Sequence, residues 1–271
     1  MVEKLIKAAV KRFRNALHNP YEVAGLSWFD IKKLKHEAKG IRRKINVMDS
    51  PMHYSSPQDL VHGINEIFVE GIYDQELAPN AFVIDCGANI GLSVIKWKML
   101  QPTCRVLAFE PDAENYDLLV KNIRERSYEN ICVEKKAVWI SDEPLFFEES
   151  GSMSSKISTE GGTNTVQTNA VRLKDLIHEP VDFLKMDIEG AEYAVLNDIR
   201  DQLHFVKKMF VEYHGSYGQN GELLDALNIL RKTGFNIYIK EATPVYKTPF
   251  LAKKSYPSVW DLQLNIFCTR K

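Results

Sequence analysis

The sequence predicts an α/β fold built on a mostly parallel sheet with helices on its faces, and three observations support this. Short apolar runs such as Ala81–Ile84 and Val181–Met186 alternate with amphipathic helical segments. Several runs end on an acidic residue close to glycine, as is typical of strands whose carboxyl ends line a ligand crevice. The 271 residues, 45% of them hydrophobic, suffice for one large domain or for a domain with an appendage.

The first fifty residues form a basic segment. They carry twelve lysines and arginines against five acids, although the whole chain has a net charge of −1. Apolar residues recur at helical spacing from Val2 to Leu17, which predicts an amphipathic helix. Such a helix packs on the main domain or on a second subunit, or it contacts an anionic membrane or a lipid-linked glycan. The sequence leaves these alternatives, and with them a homo-oligomer, open.

We divide the chain into a basic, helical N-terminal appendage at residues 1–65 and a main domain at residues 66–271. Just before the first strand of the main domain stands Tyr73, which either covers a bound cofactor or packs in the core. No run of about eighteen apolar residues and no continuous apolar leader occurs, so we expect a cytoplasmic protein. The four cysteines are scattered, which favours free thiols over a metal site.

The stretch from Ala81 to Asp112 is the centre of the predicted fold. Its first apolar run is short enough for a strand buried on both faces, and it ends on Asp85. Glycines follow at once, so the backbone can approach a ligand closely and direct free N–H groups at it. We therefore assign ligand binding to the turn that contains Gly87, Ala88, Asn89 and Gly91.

A second acidic residue follows the next strand. The run Arg105–Phe109 ends on Glu110, whose carboxylate can accept both hydroxyls of a ribose, so the two motifs together predict a nucleoside site. A nicotinamide dinucleotide would require glycine in place of Asn89, and Asp85 would repel its pyrophosphate. Asp85 instead suits a ligand that carries an ammonium and a sulfonium group.

Beyond Pro111, strands and helices alternate as a parallel sheet requires. We expect Asp112 to cap a helix and Ala137, in a third strand at residues 131–140, to lie beside the adenine. The polar loop at residues 151–164 is either a disordered insertion or a binding loop. The remaining expected segments are strands at 145–147, 165–171, 205–213, 234–240 and 262–270, the last antiparallel, and a helix at 222–232.

The second chemical centre follows the strand Val181–Met186. Its end, Asp187, belongs to the same sheet edge as Asp85 and Glu110, so we assign Asp187 to both cofactor binding and catalysis. His214 follows the fifth strand, and its unperturbed pKa suits a base that takes the proton of a hydroxyl. A structural histidine that caps the strand is the alternative.

Four segments resemble the FkbM family of class I methyltransferases: FVIDCGANIGLSV, AFEPDAENYDLLVKN, FLKMDIEGAEYAVL and MFVEYHG. The resemblance covers residues 66–271 and leaves the first fifty residues outside. It implies a Rossmann-like, mostly parallel seven-stranded sheet and S-adenosylmethionine as the cofactor. It also implies methyl transfer to an oxygen, which in this family is usually a hydroxyl of a sugar or of a natural product.

Other functions remain as alternatives. A cofactor-fold scaffold without turnover would not need Asp85, Glu110 and Asp187 together, and Asn89 argues against a nicotinamide oxidoreductase. The fourth strand ends in Met-Asp-Ile-Glu without an Asn-Pro-Pro-Tyr-like set to hold a planar amine, which disfavours methylation of an exocyclic base nitrogen. We expect no nucleic-acid partner. Asp187, Glu189 and His214 offer metal-ligand atoms, but their spacing matches no recognised metal motif, and we predict no metal.

Overall fold

The computed structural model describes residues 19–148, 157–158 and 165–270, and its centre is a seven-stranded sheet. We number these strands in chain order: β1 Phe82–Cys86, β2 Arg105–Phe109, β3 Ile131–Glu134, β4 Val181–Met186, β5 Val206–Gly215, β6 Asn236–Glu241 and β7 Leu262–Thr269. Across the sheet they lie in the order β6-β7-β5-β4-β1-β2-β3. The first five are mutually parallel, whereas β7 pairs antiparallel with both β5 and β6. The predicted mostly parallel seven-stranded sheet is confirmed.

Helices cover the sheet: α1 Trp28–His36, α2 Pro57–Ile64, α3 Leu92–Leu100, α4 Ala113–Arg124, α5 Glu192–Asp198 and α6 Asn220–Lys232. The predicted cap of α4 is present, because the Asp112 side chain accepts a hydrogen bond from the backbone N–H of Asn115 at 2.8 Å. Helix α3 begins directly after Gly91, which adopts φ +97°. The turn between β1 and α3 is therefore as short as the sequence predicted.

The third predicted strand is split in two, so its predicted extent was wrong. β3 ends at Glu134, and after Lys135 and Lys136 the chain forms a second short strand, Ala137–Trp139. This strand pairs in parallel with Ala170–Arg172 outside the main sheet. The tertiary pairing ends β3 early, because Ala137 N–H donates to Asn169 O and not to β2.

The remaining short strands lie outside the main sheet, at Arg43–Val47, Ser50–Tyr54, Leu145–Glu148, Ile157–Ser158, Thr165–Thr168, Tyr246–Thr248 and Lys253–Lys254. The predicted strand at residues 165–171 is interrupted at Asn169, and His214 lies inside β5 instead of after it. Most of the predicted loop at 151–164 falls outside the described residues. All four cysteines are free thiols, with three of them buried.

Residues 19–64 pack onto the main domain. Ala24, Leu34 and Tyr54 belong to the same buried cluster as Val83 of β1 and Val106 of β2. The predicted helix at residues 2–17 lies outside the described residues, and the boundary at residue 65 stays a prediction. No helix in the described ranges is long and apolar enough to cross a membrane.

Candidate active site at the carboxyl edge of the sheet

The turn after β1 is held tightly against its neighbouring strands. The backbone N–H groups of Gly87 and Ala88 both donate to Phe109 O, at 3.0 and 2.9 Å. Gly87 has φ +89°, and a Cβ atom there would overlap the carbonyl oxygen of Asp187. Only glycine therefore fits, and the turn, the end of β2 and the end of β4 meet backbone against backbone.

Glu110 lies beside the turn, directly after β2. Its two carboxylate oxygens accept hydrogen bonds from the backbone N–H groups of Asn89, at 2.8 Å, and Asp112, at 2.9 Å. Burial, with the side chain only 6% exposed, raises the pKa of Glu110 to about 7 despite these two donors. Each oxygen keeps a lone pair, so the carboxylate can still accept the ribose hydroxyls that the sequence assigns to it.

Asp85 is fully buried and forms part of an ion-pair chain. Its carboxylate accepts a hydrogen bond from Trp97 Nε1 at 3.0 Å and lies 3.4 Å from Lys185 Nζ. Lys185 also contacts Asp187 at 3.3 Å and donates to Gly87 O at 2.6 Å. Burial disfavours the charge on Lys185, but Asp85 and then Asp187 outweigh burial and raise the pKa of Lys185. Lys185 thus joins both predicted acids to the glycine turn.

His214 is packed into an acidic environment on β5. Its Nδ1 lies 3.1 Å from a carboxylate oxygen of Glu192, the first residue of α5. Its Nε2 lies 3.8 Å from Glu189 and 3.7 Å from Glu212. Burial opposes the charge on this imidazole, but the three carboxylates, led by Glu192, raise the pKa of His214 to about 10. The sequence argument from an unperturbed pKa is therefore not met, since the imidazole holds its proton at neutral pH.

The same pocket contains a surplus of carboxylates. One ligand atom each from Asp187, Glu212 and His214 lies within 4.8 Å of the other two. Burial first, and then the neighbouring negative charges, raise the pKa of Glu212 and bring the pKa of Glu189 to about 7. The edge beside β4 and β5 therefore has more carboxyl groups than its own protein cations can pair with.

Tyr73 and Ala137 occupy buried positions. The Tyr73 ring is 4% exposed and packs between the rings of Trp97, at 4.9 Å, and Phe210, at 5.0 Å. This is the core packing that the sequence left open as the alternative to a cover. Ala137 is buried at the start of the short strand after β3. The contact of both residues with a cofactor stays a prediction.

Sequence reasoning assigned no role to Lys185, Glu192 or Glu212. Lys185 had a signal, since it is a lysine inside an otherwise apolar strand that ends on Asp187. Glu212 stands two residues before His214, so strand alternation places both on one face of β5. Glu192 gave no such signal, because an acid in a first helical turn is common without any function.

The comparisons agree with this geometry. The sequence model described as "Methyltransferase FkbM domain" matches residues 85–237, which is more than half of the chain. Methyltransferase 1 of Beauveria bassiana (strain ARSEF 2860) is 25% identical over 230 residues, covering 73% of this chain and 90% of that protein. The 31-O-demethyl-FK506 methyltransferase FkbM of Streptomyces tacrolimicus is 27% identical over 224 residues, covering 67% and 83%.

Among solved structures, the methyltransferase FkbM from Methylobacillus flagellatus KT has a TM-score of 0.46 and 20% identity to this chain. The alignment covers 78% of this chain and 54% of that one. The family match itself includes all four chemically prominent positions of the sheet edge, Asp85, Glu110, Asp187 and His214. The chain therefore belongs to the FkbM family of methyltransferases, and its cofactor is S-adenosylmethionine.

Proposed function

We propose that the chain transfers the methyl group of S-adenosylmethionine to a hydroxyl of a small-molecule or glycan acceptor, namely a sugar, a polysaccharide or a glycosylated natural product. In this reaction the oxygen–carbon bond forms as the carbon–sulfur bond breaks, S-adenosylhomocysteine leaves, and the hydroxyl proton is released. The observation that carries the proposal is the contact between the Gly87 turn and the Asp187 backbone. It joins a nucleoside crevice to the polar pocket on β4 and β5.

The cofactor half of this crevice fits the adenosine of S-adenosylmethionine. Glu110 faces the ribose side of the turn, and the backbone around Asn89 is fixed by its hydrogen bond to that carboxylate. The methionine end then extends towards Asp187, whose negative charge favours an ammonium or a sulfonium nearby. The reactive methyl group is thereby directed at the pocket that contains His214.

The acceptor half supplies polar groups around the reacting oxygen. Asp187 and His214 are the proposed catalytic residues, and Glu189 and Glu212 surround the imidazole. Much of the rate acceleration in such a transfer comes from aligning oxygen, methyl carbon and sulfur, which a rigid pocket between two parallel strands can provide. The hydroxyl proton then passes to one of these carboxylates, which the protonated imidazole of His214 orients.

The nature of the acceptor is inferred from charge and from a relative. The name of the Streptomyces tacrolimicus protein describes methylation of an oxygen on a natural product, and that protein aligns over 67% of this chain. The pocket carries surplus negative charge, which disfavours a nucleic-acid phosphate backbone. A cytoplasmic location, contact of the basic N-terminus with an anionic membrane or a lipid-linked glycan, and a homo-oligomer stay predictions.

Calorimetric titration with S-adenosylmethionine, S-adenosylhomocysteine and NADH tests the cofactor half. We expect the first two to bind and NADH to show no heat. The acceptor half is tested with S-adenosylmethionine that carries a deuterated methyl group, offered with a panel of glycans and polyhydroxylated natural products. A mass increase of one labelled methyl, located on oxygen by NMR, supports the proposal. Labelling of nitrogen or carbon instead would overturn it.

The role of His214 is tested by His214→Ala, with His204→Ala, a change at an exposed histidine, as the control. We expect His214→Ala to keep its affinity for S-adenosylmethionine while turnover falls roughly a hundredfold. The control should retain full turnover. If His214→Ala is as active as the wild type, His214 takes no part in the transfer.

A further inference from the structure

The pocket of Asp187, Glu212 and His214 has the donor set of a metal site. One carboxylate, of Asp187, directly follows β4, the other carboxylate and the imidazole lie on the adjacent strand β5, and their ligand atoms converge within 4.8 Å. We propose that these three residues bind a divalent cation of the Mn²⁺ or Mg²⁺ type, which holds the acceptor hydroxyl beside the methyl group. This inference rests on the proposed hydroxyl methylation, and the cation is the group that would bind and orient the acceptor oxygen in that pocket.

The state of His214 Nε2 is an independent observation that indicates a ligand. The His214 side chain is 2% exposed, and no described residue offers a hydrogen-bond partner to Nε2, since Glu212 and Glu189 lie 3.7 and 3.8 Å away. Nε2 thus faces two carboxylates that stand beyond hydrogen-bond distance, and the space between these three groups can hold an ion. A cation held among the carboxylates would displace the Nε2 proton to solvent and accept the lone pair of that nitrogen.

The orientation of the ring is that of a metal ligand. Glu192 accepts the hydrogen bond of His214 Nδ1 and is itself fixed by the backbone N–H groups of Ile188, at 3.2 Å, and Gly190, at 3.0 Å. A carboxylate on one ring nitrogen fixes the tautomer and turns the other nitrogen towards a metal. The Trp260 ring, 5.6 Å from the imidazole, restricts its movement from another side.

Spacing and charge both suit a small divalent cation. Ligand bonds of about 2.1 Å place neighbouring ligand atoms about 3 Å apart, so the pocket has to contract slightly on binding. Asp187 can close the gap, because its side chain is 27% exposed. The pocket also borders Glu66 and Glu189, and two positive charges would offset this surplus. Mixed nitrogen and oxygen donors fit Mn²⁺ well and fit Ca²⁺ poorly.

The cation would change the part that His214 plays. A hydroxyl bound to a divalent cation loses its proton more readily, and a second acceptor oxygen can bind the same ion and fix the acceptor in line with sulfur. The proton then passes to water while the oxygen–carbon bond forms and the carbon–sulfur bond breaks. His214 would act as a ligand and would not itself take the proton.

Manganese binding to the whole purified chain tests the inference. The protein is treated with EDTA, desalted and titrated with Mn²⁺, and free ion is measured by its EPR signal. We expect one site per chain, at least tenfold weaker in Asp187→Asn and in Glu212→Gln, which preserve side-chain shape. Glu179→Gln, at an exposed acid paired with Arg105, is the matched control and should bind as the wild type does. Nitrogen coupling in the pulsed EPR spectrum should disappear in His214→Ala.

Activity and binding are read separately, so that the two proposals can fail separately. We expect EDTA-treated protein to keep its affinity for S-adenosylmethionine, to lose at least a hundredfold of its methyl transfer, and to recover it with Mn²⁺ or Mg²⁺. The metal site is overturned if no Mn²⁺ binds either in the absence or in the presence of S-adenosylmethionine. Full activity of the protein in EDTA would overturn it as well. If Mn²⁺ binds as expected but no hydroxyl is methylated, the metal site is supported and the proposed reaction is contradicted.

Discussion

Buried carboxyl groups are paired differently in two parts of the sheet edge. We call them the cofactor half, around Asp85 and Glu110, and the acceptor half, around Asp187, Glu212 and His214. On the cofactor half, Glu110 accepts two backbone N–H hydrogen bonds, and Asp85 accepts one from Trp97 and faces Lys185 at 3.4 Å, although its Oδ1 accepts no hydrogen bond from the described residues. On the acceptor half, the carboxylates around His214 exceed the protein cations available to them. The cofactor half thus pairs its carboxylates mainly with donors of the protein itself, whereas the acceptor half has more carboxyl groups than nearby protein cations.

This difference indicates that the cofactor half is rigid before a ligand binds, whereas the acceptor half is suited to binding a charged ligand. Satisfied buried groups stiffen a site and fix its shape before the ligand arrives. Burial raises the pKa of Glu110 on the cofactor half as well as those of Glu189 and Glu212, but two backbone N–H donors oppose the rise at Glu110, whereas the charge of Asp187 adds to it at Glu189 and Glu212. Substitutions on the cofactor half should therefore affect folding strongly, and substitutions on the acceptor half should affect chemistry more than folding.

The largest effect is expected from breaking the buried pair on the cofactor half. Asp85→Ala leaves Lys185 without its fully buried partner, which should lower the free energy of unfolding by about 3–5 kcal/mol. Affinity for S-adenosylmethionine should fall at least tenfold, or roughly 1.4 kcal/mol. Urea unfolding and calorimetry measure the two effects.

Its control removes both charges. The double variant Asp85→Asn with Lys185→Met removes both charges of this pair. Its loss of stability should be smaller than the sum of the losses measured for Asp85→Asn alone and for Lys185→Met alone. Additive losses would show that the pair is not coupled. Unchanged cofactor affinity in Asp85→Ala would contradict the placement of the ligand beside this turn.

Gly87→Ala tests the backbone contact between the two halves. The added Cβ would overlap Asp187 O at φ +89°, so the ends of β1 and β4 must separate, at a cost of about 3 kcal/mol. Gly40→Ala is the matched control, because Gly40 also has positive φ, +78°, but no atom of the described residues lies within 4 Å of the new carbon. It should cost only about 1 kcal/mol of strain. If Gly87→Ala and Gly40→Ala lower the melting temperature equally, backbone strain at positive φ causes the loss of stability, and the contact with Asp187 O does not.

The sequence predicted the cofactor half better than the acceptor half, and the reason is physical. Asp85, the glycine turn and Glu110 are close in sequence, and their roles follow from local patterns of strand end, tight turn and helix start. His214 and Glu192 are 22 residues apart and meet only after β5 pairs with β4. No local sequence pattern predicts the contact between His214 and Glu192, so the raised pKa of His214 could not be predicted from the sequence.

The predicted third strand failed for a related reason. Residues 131–140 contain two apolar runs separated by Glu134, Lys135 and Lys136, and this charged run was a local signal of the break that the prediction did not use. The break is set by a competing partner, Ala170–Arg172, which lies more than thirty residues away along the chain. Tyr73 illustrates the same limit, because the sequence placed an aromatic ring near the crevice but could not decide between cover and core.

A smaller effect is expected when pH is used to titrate the cofactor half. Burial raises the pKa of Glu110 to about 7, so the carboxyl is mostly protonated at pH 6 and mostly ionised at pH 8. The ionised form is the better acceptor for ribose hydroxyls, hence affinity for S-adenosylmethionine should rise about tenfold from pH 6 to pH 8. Glu110→Gln should bind weakly with a flat profile between these pH values. A flat profile in the wild type would mean that Glu110 does not titrate in this range.

The smallest effect is expected at the opposite, amino edge of the sheet, where an exposed ion pair offers a contrast to the buried one. Arg105 donates two hydrogen bonds to Glu179, at 3.3 and 2.9 Å, and stacks on the Phe82 ring at 4.6 Å. Water and salt screen this pair, so Glu179→Gln should leave the urea midpoint unchanged. Arg105→Ala should cost about 0.5 kcal/mol through the lost stacking on Phe82, and this loss should persist in 1 M salt. If Glu179→Gln instead destabilised the chain as much as Asp85→Ala does, burial would not be what distinguishes the cofactor half.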